Sequence, residues 1–286
     1  MENTRVLSII IIVVLVAAFI SAVYVTGFGY PQNNRNNNKA NMISKEFKLT
    51  NAQVQDIELV NINVDTNSSG LEVSFQNDSD SIYNITTQQV NDSREPSVTY
   101  SKNGNTLNVN VFMDSGSAKL VLNNKYTYNG TYNTKVGGMT MVLANDSKID
   151  QFTTNIQYIG GGSYILKDTR FNNLNMNVNL GGFMIQADNP NIKKNGNIST
   201  NVQIGGITIS INPLDKLGLK INGKVDLGGF SFDPEGFEVL TNTSNNLDIQ
   251  SKNFNNQTIK LQINNTIGLG GLNINTFVMP INPNFQ

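Results

Sequence analysis

A glycine-containing phrase that recurs through the second half of the chain restricts the fold more than any other feature of the sequence. Its second glycine, used as a marker, recurs at intervals of 23, 21, 24, 23 and 42 residues, and the last interval is about two periods. A repeat of about 22 residues indicates similar supersecondary units stacked on one another. The copy missing from the last interval is expected near residues 247–249. The clear copies are VNLGGFMI at 178–185, VQIGGITI at 202–209, VDLGGFSF at 225–232 and IGLGGLNI at 267–274, and looser copies lie at 136–141 and 156–164.

Apolar and polar residues alternate along the chain from Lys48 onward. Leu107, Val109 and Val111, for example, are separated by asparagines. This period of two is typical of strands with one face in the core and one face in water, and no stretch has a convincing helical period. The chain is therefore predicted to be all-β.

The glycine pairs are predicted to form corners between short strands. Leu180 and Phe183 lie on either side of one pair, and strict alternation would place them on opposite faces. Both can face one core only if the backbone bends at the glycines, where no Cβ restricts the dihedrals. The predicted corner residues are Gly138, Gly161, Gly181, Gly182, Gly205, Gly206, Gly228, Gly229, Gly270 and Gly271.

A corner in every period favours a single-stranded β-solenoid of about 22 residues per coil, with successive coils stacked in register about 4.8 Å apart. A β-sandwich with long meanders is the alternative. The solenoid predicts two inward columns of side chains and one outward column, in which stacked amides can form hydrogen-bonded ladders. A simple solvated face is the plainer interpretation of the outward column. The inward columns are Leu180/Ile204/Leu227/Leu269 and Phe183/Ile207/Phe230/Leu272, and the outward column is Gln157, Asn179, Gln203 and Asp226.

Residues 6–25 form an apolar run of 20 residues without a charge. At about 1.5 Å per residue, a helix of this length spans the hydrocarbon layer of a bilayer of about 30 Å. A cleaved signal peptide is the rival interpretation, but its apolar region is normally shorter, and a buried core helix would have a polar face. We predict a transmembrane anchor over 1–30, an Asn-rich tether over 31–47 and the solenoid domain over 48–286.

The orientation of this anchor does not follow from charge. Glu2 and Arg5 precede the apolar run, and Arg35 and Lys39 follow it, so the positive-inside rule does not decide. We expect the large domain to lie outside the cell membrane, because an N-terminal anchor is the usual way to export such a domain.

Composition excludes several kinds of chemistry. The chain has no Cys and no His, which excludes Ser-His-Asp and Cys-His catalysis, thiolate or imidazole zinc sites and disulfides. A net charge of −1 gives no basic surface for nucleic acid. Charged residues make up only 14% of the chain, and much of its polar character comes from 48 asparagines.

A weak calcium candidate remains at Asp226, Asp233, Glu235 and Glu238, which follow a glycine pair. Calcium prefers several such oxygens, but the glycine-rich Asp repeat of calcium-binding solenoids is absent, so a solvated loop is favoured. Nothing in the sequence places two carboxylates at a fixed separation across a cleft, as glycoside hydrolysis requires. We therefore predict no catalytic residue, no cofactor and no enzymatic activity.

The order of these parts from residue 56 to residue 276 resembles the putative-adhesin domains of bacterial and archaeal envelope proteins. An opening strand pair at 62–64 and 71–75 precedes a variable stretch, then the strand at 106–111, then the glycine-containing coils. The resemblance implies a β-solenoid fixed near a membrane and a role in adhesion. This chain differs in its asparagine content, and we expect it to have no C-terminal sorting signal. Residues 277–283 are expected to cap the last coil.

The first functional hypothesis is a single-pass, extracytoplasmic surface protein that acts in adhesion or envelope structure without catalysis. Its ligand would be a glycan or an envelope protein, bound by weak multivalent contacts, and the bilayer would hold residues 6–25. The alternative is a cytoplasm-facing, membrane-tethered solenoid that self-associates as a scaffold, because an open terminal coil is a strand edge that can pair.

Overall fold

Twelve β-strands and one short 3₁₀ turn form the regular structure of the described residues. The computed structural model describes residues 42–77, 80–90, 94–212 and 217–276. All twelve strands belong to one sheet, and the sheet is not closed on itself. This confirms the all-β prediction for the described residues. The strands are β1 (Met42–Thr50), β2 (Leu59–Gln76), β3 (Ser81–Val90), β4 (Ser97–Asn103), β5 (Thr106–Asn123), β6 (Thr127–Leu143), β7 (Ser147–Ile192), β8 (Gly196–Asn212), β9 (Gly218–Phe232), β10 (Phe237–Asn242), β11 (Asn246–Ser251) and β12 (Lys260–Asn275), and the 3₁₀ turn is Phe254–Asn256.

The centre of the sheet is a parallel stack of long strands in the order β5-β2-β6-β7-β8-β12-β9. Equivalent positions of the glycine phrase pair with one another, so that Gly181 lies opposite Gly205, Gly205 opposite Gly270, and Gly270 opposite Gly228. In-register pairing keeps the first, third, sixth and eighth positions of the phrase, which are apolar in all four clear copies, beside one another. A slip of one residue would move this whole set to the other face.

Antiparallel strands cover the two ends of this parallel stack. At one end, β3 and β4 both pair with β5, and β1 pairs with β3. At the other end, β11 pairs with residues 220–224 of β9, and β10 pairs with β11. Covering both ends with antiparallel strands shortens the sheet edge that is open to pairing.

The stacking order differs from the chain order at two places. Strand β2 lies between β5 and β6, and β12 lies between β8 and β9, so the expectation that successive coils stack in sequence order is wrong there. Residues 247–249, expected to be the missing copy, lie in β11 and pair antiparallel with β9. The 42-residue interval contains this hairpin instead. The glycine phrase in β12 pairs in register with the phrase in β8 on one side and with the phrase in β9 on the other. The backbone of β12 therefore has a strand partner on both sides.

The predicted boundary between tether and domain also moves. Residues 42–47 were assigned to the tether, but they belong to β1, where Phe47 packs against the core and Leu49 is buried. Within the described ranges, no helix is long and apolar enough to cross a membrane. The predicted anchor at 6–25 and the predicted cap at 277–283 lie outside the described residues.

Large aromatic side chains fill the core between the strand faces. Tyr128, Tyr132 and Tyr164 are almost fully buried, and each hydroxyl donates to a backbone carbonyl, Tyr132 to that of Ser69 at 2.8 Å. These bonds remove the cost of burying an unpaired hydroxyl. Burial is the main reason that the pKa values of all three phenols are raised.

Candidate functional site

The first glycine of each pair gives the corner its geometry. Gly181 has φ 150° and Gly205 has φ 146°, in the region that side chains rarely adopt. A Cβ added to Gly205 would lie 1.6 Å from the carbonyl oxygen of Gly181, so only glycine fits. Gly137 and Gly160 adopt the same conformation in the looser copies, and sequence reasoning missed them because it took the second glycine as the marker.

The corner places one of the two predicted inward columns outside. Phe183 is 3% exposed and Ile207 is 1% exposed, as predicted, but Ile204 is 43% exposed and Leu227 is 65% exposed. Leu180 and Leu269 are half-buried. The prediction that these four residues face the core is therefore wrong.

The physical reason is the limited space on the inner side of the bend. Along β8, Val202 is buried, Gln203 and Ile204 are both exposed, and alternation resumes with the buried Gly205. The inner position at the bend meets the backbone of the neighbouring strand, so glycine occupies it, and the preceding aliphatic residue faces solvent.

Aliphatic residues, four of them exposed and two half-buried, align in one row across six neighbouring strand segments, which we call the apolar ridge. The register pairs Leu180 with Ile204, Ile204 with Leu269, and Leu269 with Leu227. With strands about 4.8 Å apart, the row is about 24 Å long. Contiguous exposed apolar surface of this kind marks an interaction site. In spatial order, the ridge is Val136, Ile159, Leu180, Ile204, Leu269 and Leu227.

The ridge begins at β6 because the earlier strands have serine at the same position. Ser68 of β2 pairs with Val136, and Ser115 of β5 pairs with Ser68. Tyr158, which is also exposed, adds an aromatic ring beside Ile159. The apolar surface is thus confined to one part of the stack.

A polar column runs beside the ridge. Gln157, Asn179, Gln203 and Asp226 are all exposed, as predicted. The side-chain amide of Asn179 donates to the backbone carbonyl of Gln157. The column is extended by Lys135, which precedes Val136 in β6 and is also exposed.

A ladder of side-chain amides lies next to this column. Asn177 donates to Asn155 at 2.8 Å, Asn155 donates to Asn133 at 2.8 Å, and Asn133 donates to a carboxylate oxygen of Asp65 at 2.7 Å. Beside this ladder is an open groove of about 470 Å³, which Lys135, Gln157 and Asn179 also line. The predicted type of amide contact therefore occurs, but two residues before the predicted column.

Shorter ladders of the same kind occur elsewhere in the stack. Asn129 donates to Asn61, and Asn61 donates to Asn108, at 3.3 and 2.8 Å. A second set joins Asn222, Asn264 and Asn197 at 2.9 and 2.8 Å. The asparagine content of the chain thus has a structural use on the outer face of the parallel strands.

The four acidic residues of the calcium candidate are not brought together. Asp226 pairs with Lys224 at 3.4 Å, Asp233 accepts from the backbone N–H of Glu235, and Glu238 accepts from Gln250. No group of three acidic side chains in the described part of the chain is placed to hold a metal ion. Each carboxylate is instead exposed to solvent.

The strongest electrostatic cluster lies away from the ridge, at the turn between β6 and β7. Asp146 accepts a bidentate contact from Arg170, at 2.9 and 3.3 Å, and a contact from Lys193 at 2.9 Å. Lys193 also pairs with Asp168 at 2.9 Å. The Arg170 hydrogen bond, followed by that of Lys193, lowers the pKa of Asp146 to about 2. This cluster joins neighbouring turns of the stack.

Comparison with known proteins adds information on the fold. No protein family and no curated protein matches the chain. A crystal structure from Clostridium sporogenes, named a putative cell adhesion protein, has a TM-score of 0.54 and 12% identity, and covers 82% of this chain and 99% of that chain. Proteins from Bacteroides fragilis and Parabacteroides distasonis, both named putative adhesins, have TM-scores of 0.25 and 0.28, identities of 9% and 10%, and cover 82% of this chain and 96% and 98% of theirs. At these identities, the likeness to the Clostridium sporogenes protein shows a shared fold.

Proposed function

We propose that this chain is a membrane-anchored, extracytoplasmic surface protein that binds a glycan in the groove lined by the amide ladder. The proposal includes a β-solenoid body, a single-pass anchor at 6–25 and no enzymatic activity. The observation that carries it is the open groove lined by amides at regular strand spacing.

Two features support a solenoid as the description of the parallel stack. The same tight glycine conformation recurs in six neighbouring segments, and β7 passes the corner twice, at Gly160 and Gly181. The stacking departs from chain order where β12 lies between β8 and β9. This chain shares its fold with a Clostridium sporogenes protein named a putative cell adhesion protein, and that likeness is consistent with an adhesion role.

The chemistry of the groove fits a polyhydroxylated ligand. An asparagine side chain has two N–H donors and two acceptor lone pairs, and a ladder contact uses one of each. The remaining groups of Asn133, Asn155 and Asn177 are repeated at the strand spacing, so one polymer can meet several of them. Weak contacts repeated in this way give useful avidity without a deep pocket.

A scaffold function remains the second candidate, because one strand edge is open. Strand β11 pairs with β9 only up to Lys224. After that residue, β9 pairs with β12 on one side, and no described strand pairs with its other side. An unpaired edge can join another chain. A head-to-tail filament would also need an open edge on β5, however, and β3 and β4 pair along it.

Location is tested by protease shaving of intact cells, with an antibody against the β8–β12 region. Loss of the signal from intact cells is the expected result. Protection in intact cells, with cleavage only after lysis, would overturn the extracytoplasmic location and leave the scaffold function as the better candidate.

Glycan binding is tested with the purified full chain on an array of envelope and host polysaccharides. Replacing Asn155 and Asn177 with Ala should lower binding at least tenfold, because both line the groove. The matched control is Asn201→Ala, an exposed asparagine outside the groove. Equal binding by the double variant and the control would contradict the proposed site.

A further inference from the structure

We propose that the apolar ridge is the contact between two copies of this chain, packed ridge to ridge in antiparallel directions about a two-fold axis. Val136 of one copy would then lie opposite Leu227 of the other, and Leu180 opposite Ile204. The inference does not depend on the proposed glycan ligand.

The first argument is the ridge itself. Four of the six aliphatic side chains in this row of about 24 Å are 39–65% exposed, which is unfavourable in water, and the core has no space for them at the bend. Their spacing is regular, so a second identical row provides a surface of matching shape. Symmetric pairing of one patch with itself is the commonest way in which soluble proteins associate.

Charge determines the direction of packing. The polar column beside the ridge begins with Lys135 at one end and ends with Asp226 at the other, and the positions between them are uncharged. The described part of the chain contains no ion pair for Lys135. Among the described residues, the one ion-pair partner of Asp226 is the exposed Lys224, at 3.4 Å.

Antiparallel packing brings these opposite charges together twice. A two-fold axis perpendicular to the ridge, lying in the contact plane, keeps both polar columns on the same side. Lys135 of each copy then faces Asp226 of the other. Parallel packing would place the two Lys135 residues on opposite sides of the contact, where neither meets an acidic partner. The charge pattern therefore selects a second copy in the antiparallel direction.

Such a contact closes on itself, so it predicts a dimer and not a filament. It also places the two amide ladders along one side of the contact, where they would form a common cleft. If the proposed glycan function holds, each dimer would offer two adjacent rows of amides.

The absence of cysteine from the chain makes a direct test available. Full-length Lys135→Cys and Asp226→Cys chains with different tags would be co-expressed in membranes and oxidised. The expected product is a disulfide between the two differently tagged chains. A bond within one chain carrying both cysteines is excluded, because positions 135 and 226 are about 24 Å apart and a disulfide needs Cα atoms within about 7 Å.

Each control has a defined expectation. Lys135→Cys alone should give no dimer, and Lys135→Cys with Thr99→Cys, an exposed site on β4, should give none either. Cross-linking of Lys135→Cys to itself, or no bond between Lys135→Cys and Asp226→Cys in folded protein, would overturn the proposal. Folding is checked by the protease-resistant core of each variant.

Charge exchange provides a second readout in detergent solution by sedimentation. Ile204→Lys should abolish the dimer. Lys135→Asp alone or Asp226→Lys alone should weaken it about tenfold, and the combined exchange should restore it. A monomer in every case would overturn the proposal and favour a glycan or lipid as the cover of the ridge, whereas the shaving and array results would be unaffected.

Discussion

Two columns of apolar side chains lie three residues apart on either side of each glycine corner, yet one is buried and the other exposed. Ile207 in the buried column is 1% exposed, whereas Ile204 in the ridge is 43% exposed. Both columns have the same kind of residue and the same register across the sheet. The difference teaches that an apolar repeat identifies positions of one chemical type, but the backbone at the corner decides which of them the core accepts.

The largest expected effect comes from cutting the same side chain back in each column. Ile207→Ala should lower the free energy of unfolding by about 2–5 kcal/mol, because it leaves a cavity in a packed core. Ile204→Ala should lower it by less than about 1 kcal/mol. Urea unfolding of both variants by circular dichroism measures the difference. Equal losses would mean that the ridge is as well packed as the core.

The backbone of the corner can be disturbed by a substitution that changes no side chain in either column. Gly205→Ala should cost about 2–4 kcal/mol, because its Cβ would meet the carbonyl of Gly181 at 1.6 Å and φ is 146°. Gly229→Ala is the matched control, since a Cβ there has no atom within 4 Å, and its effect should stay within about 0.5 kcal/mol. Similar stability of both variants would remove the steric explanation of the corner.

A smaller loss of stability is expected when the ion cluster around Asp146 is broken. This loss shows how much charge contributes to stability beside the packing of the apolar columns. In the folded chain, Arg170 and then Lys193 lower the pKa of Asp146 from 3.8 to about 2. The ionised carboxylate therefore stabilises the fold above pH 3.8, and this contribution is lost as the pH falls through about 2. Because Asp146 is partly exposed, the contribution is about 1 kcal/mol after screening.

Asp146→Asn should remove that contribution at pH 7 and flatten the acid limb of the stability curve between pH 4 and pH 2. Asp188→Asn, at an exposed position in β7, should leave the curve unchanged. Urea midpoints measured across this pH range provide the comparison. An unaltered acid limb in Asp146→Asn would show that the cluster does not contribute to stability.

The smallest effect concerns the amide ladder beside the polar column. Asn155→Ala removes two ladder hydrogen bonds and should cost about 0.5–1 kcal/mol, because exposed hydrogen bonds exchange readily with water. Asn201→Ala should cost less. If neither changes the urea midpoint, the ladder has no role in stability, and ligand binding would be its remaining use.

Much of the candidate site could be predicted from the sequence, but its apolar half could not. The exposure of Gln157, Asn179 and Gln203 followed from alternation with the buried residue that precedes each of them. The exposure of Ile204 did not, because alternation counts residues and cannot detect that the inner side of a bend has space for glycine alone. The ladder through Asn133 and Asn155 also depended on which strands became neighbours.

The spatial order of the strands also could not be predicted from their order in the chain. Four copies of the phrase are interchangeable as pairing partners, since their apolar positions match equally well. The position of β12 between β8 and β9 therefore depended on the β10–β11 hairpin occupying the end of the stack.

The sequence by itself determined that the chain is all-β, that glycine pairs recur about every 22 residues, and that Cys and His chemistry is absent, because these properties depend on local pattern and composition. Tertiary structure alone decided the order of the strands, the direction of each apolar column and the clustering of charge at Asp146. Those properties depend on backbone contacts between residues far apart in the chain, such as the approach of Gly205 to the carbonyl of Gly181.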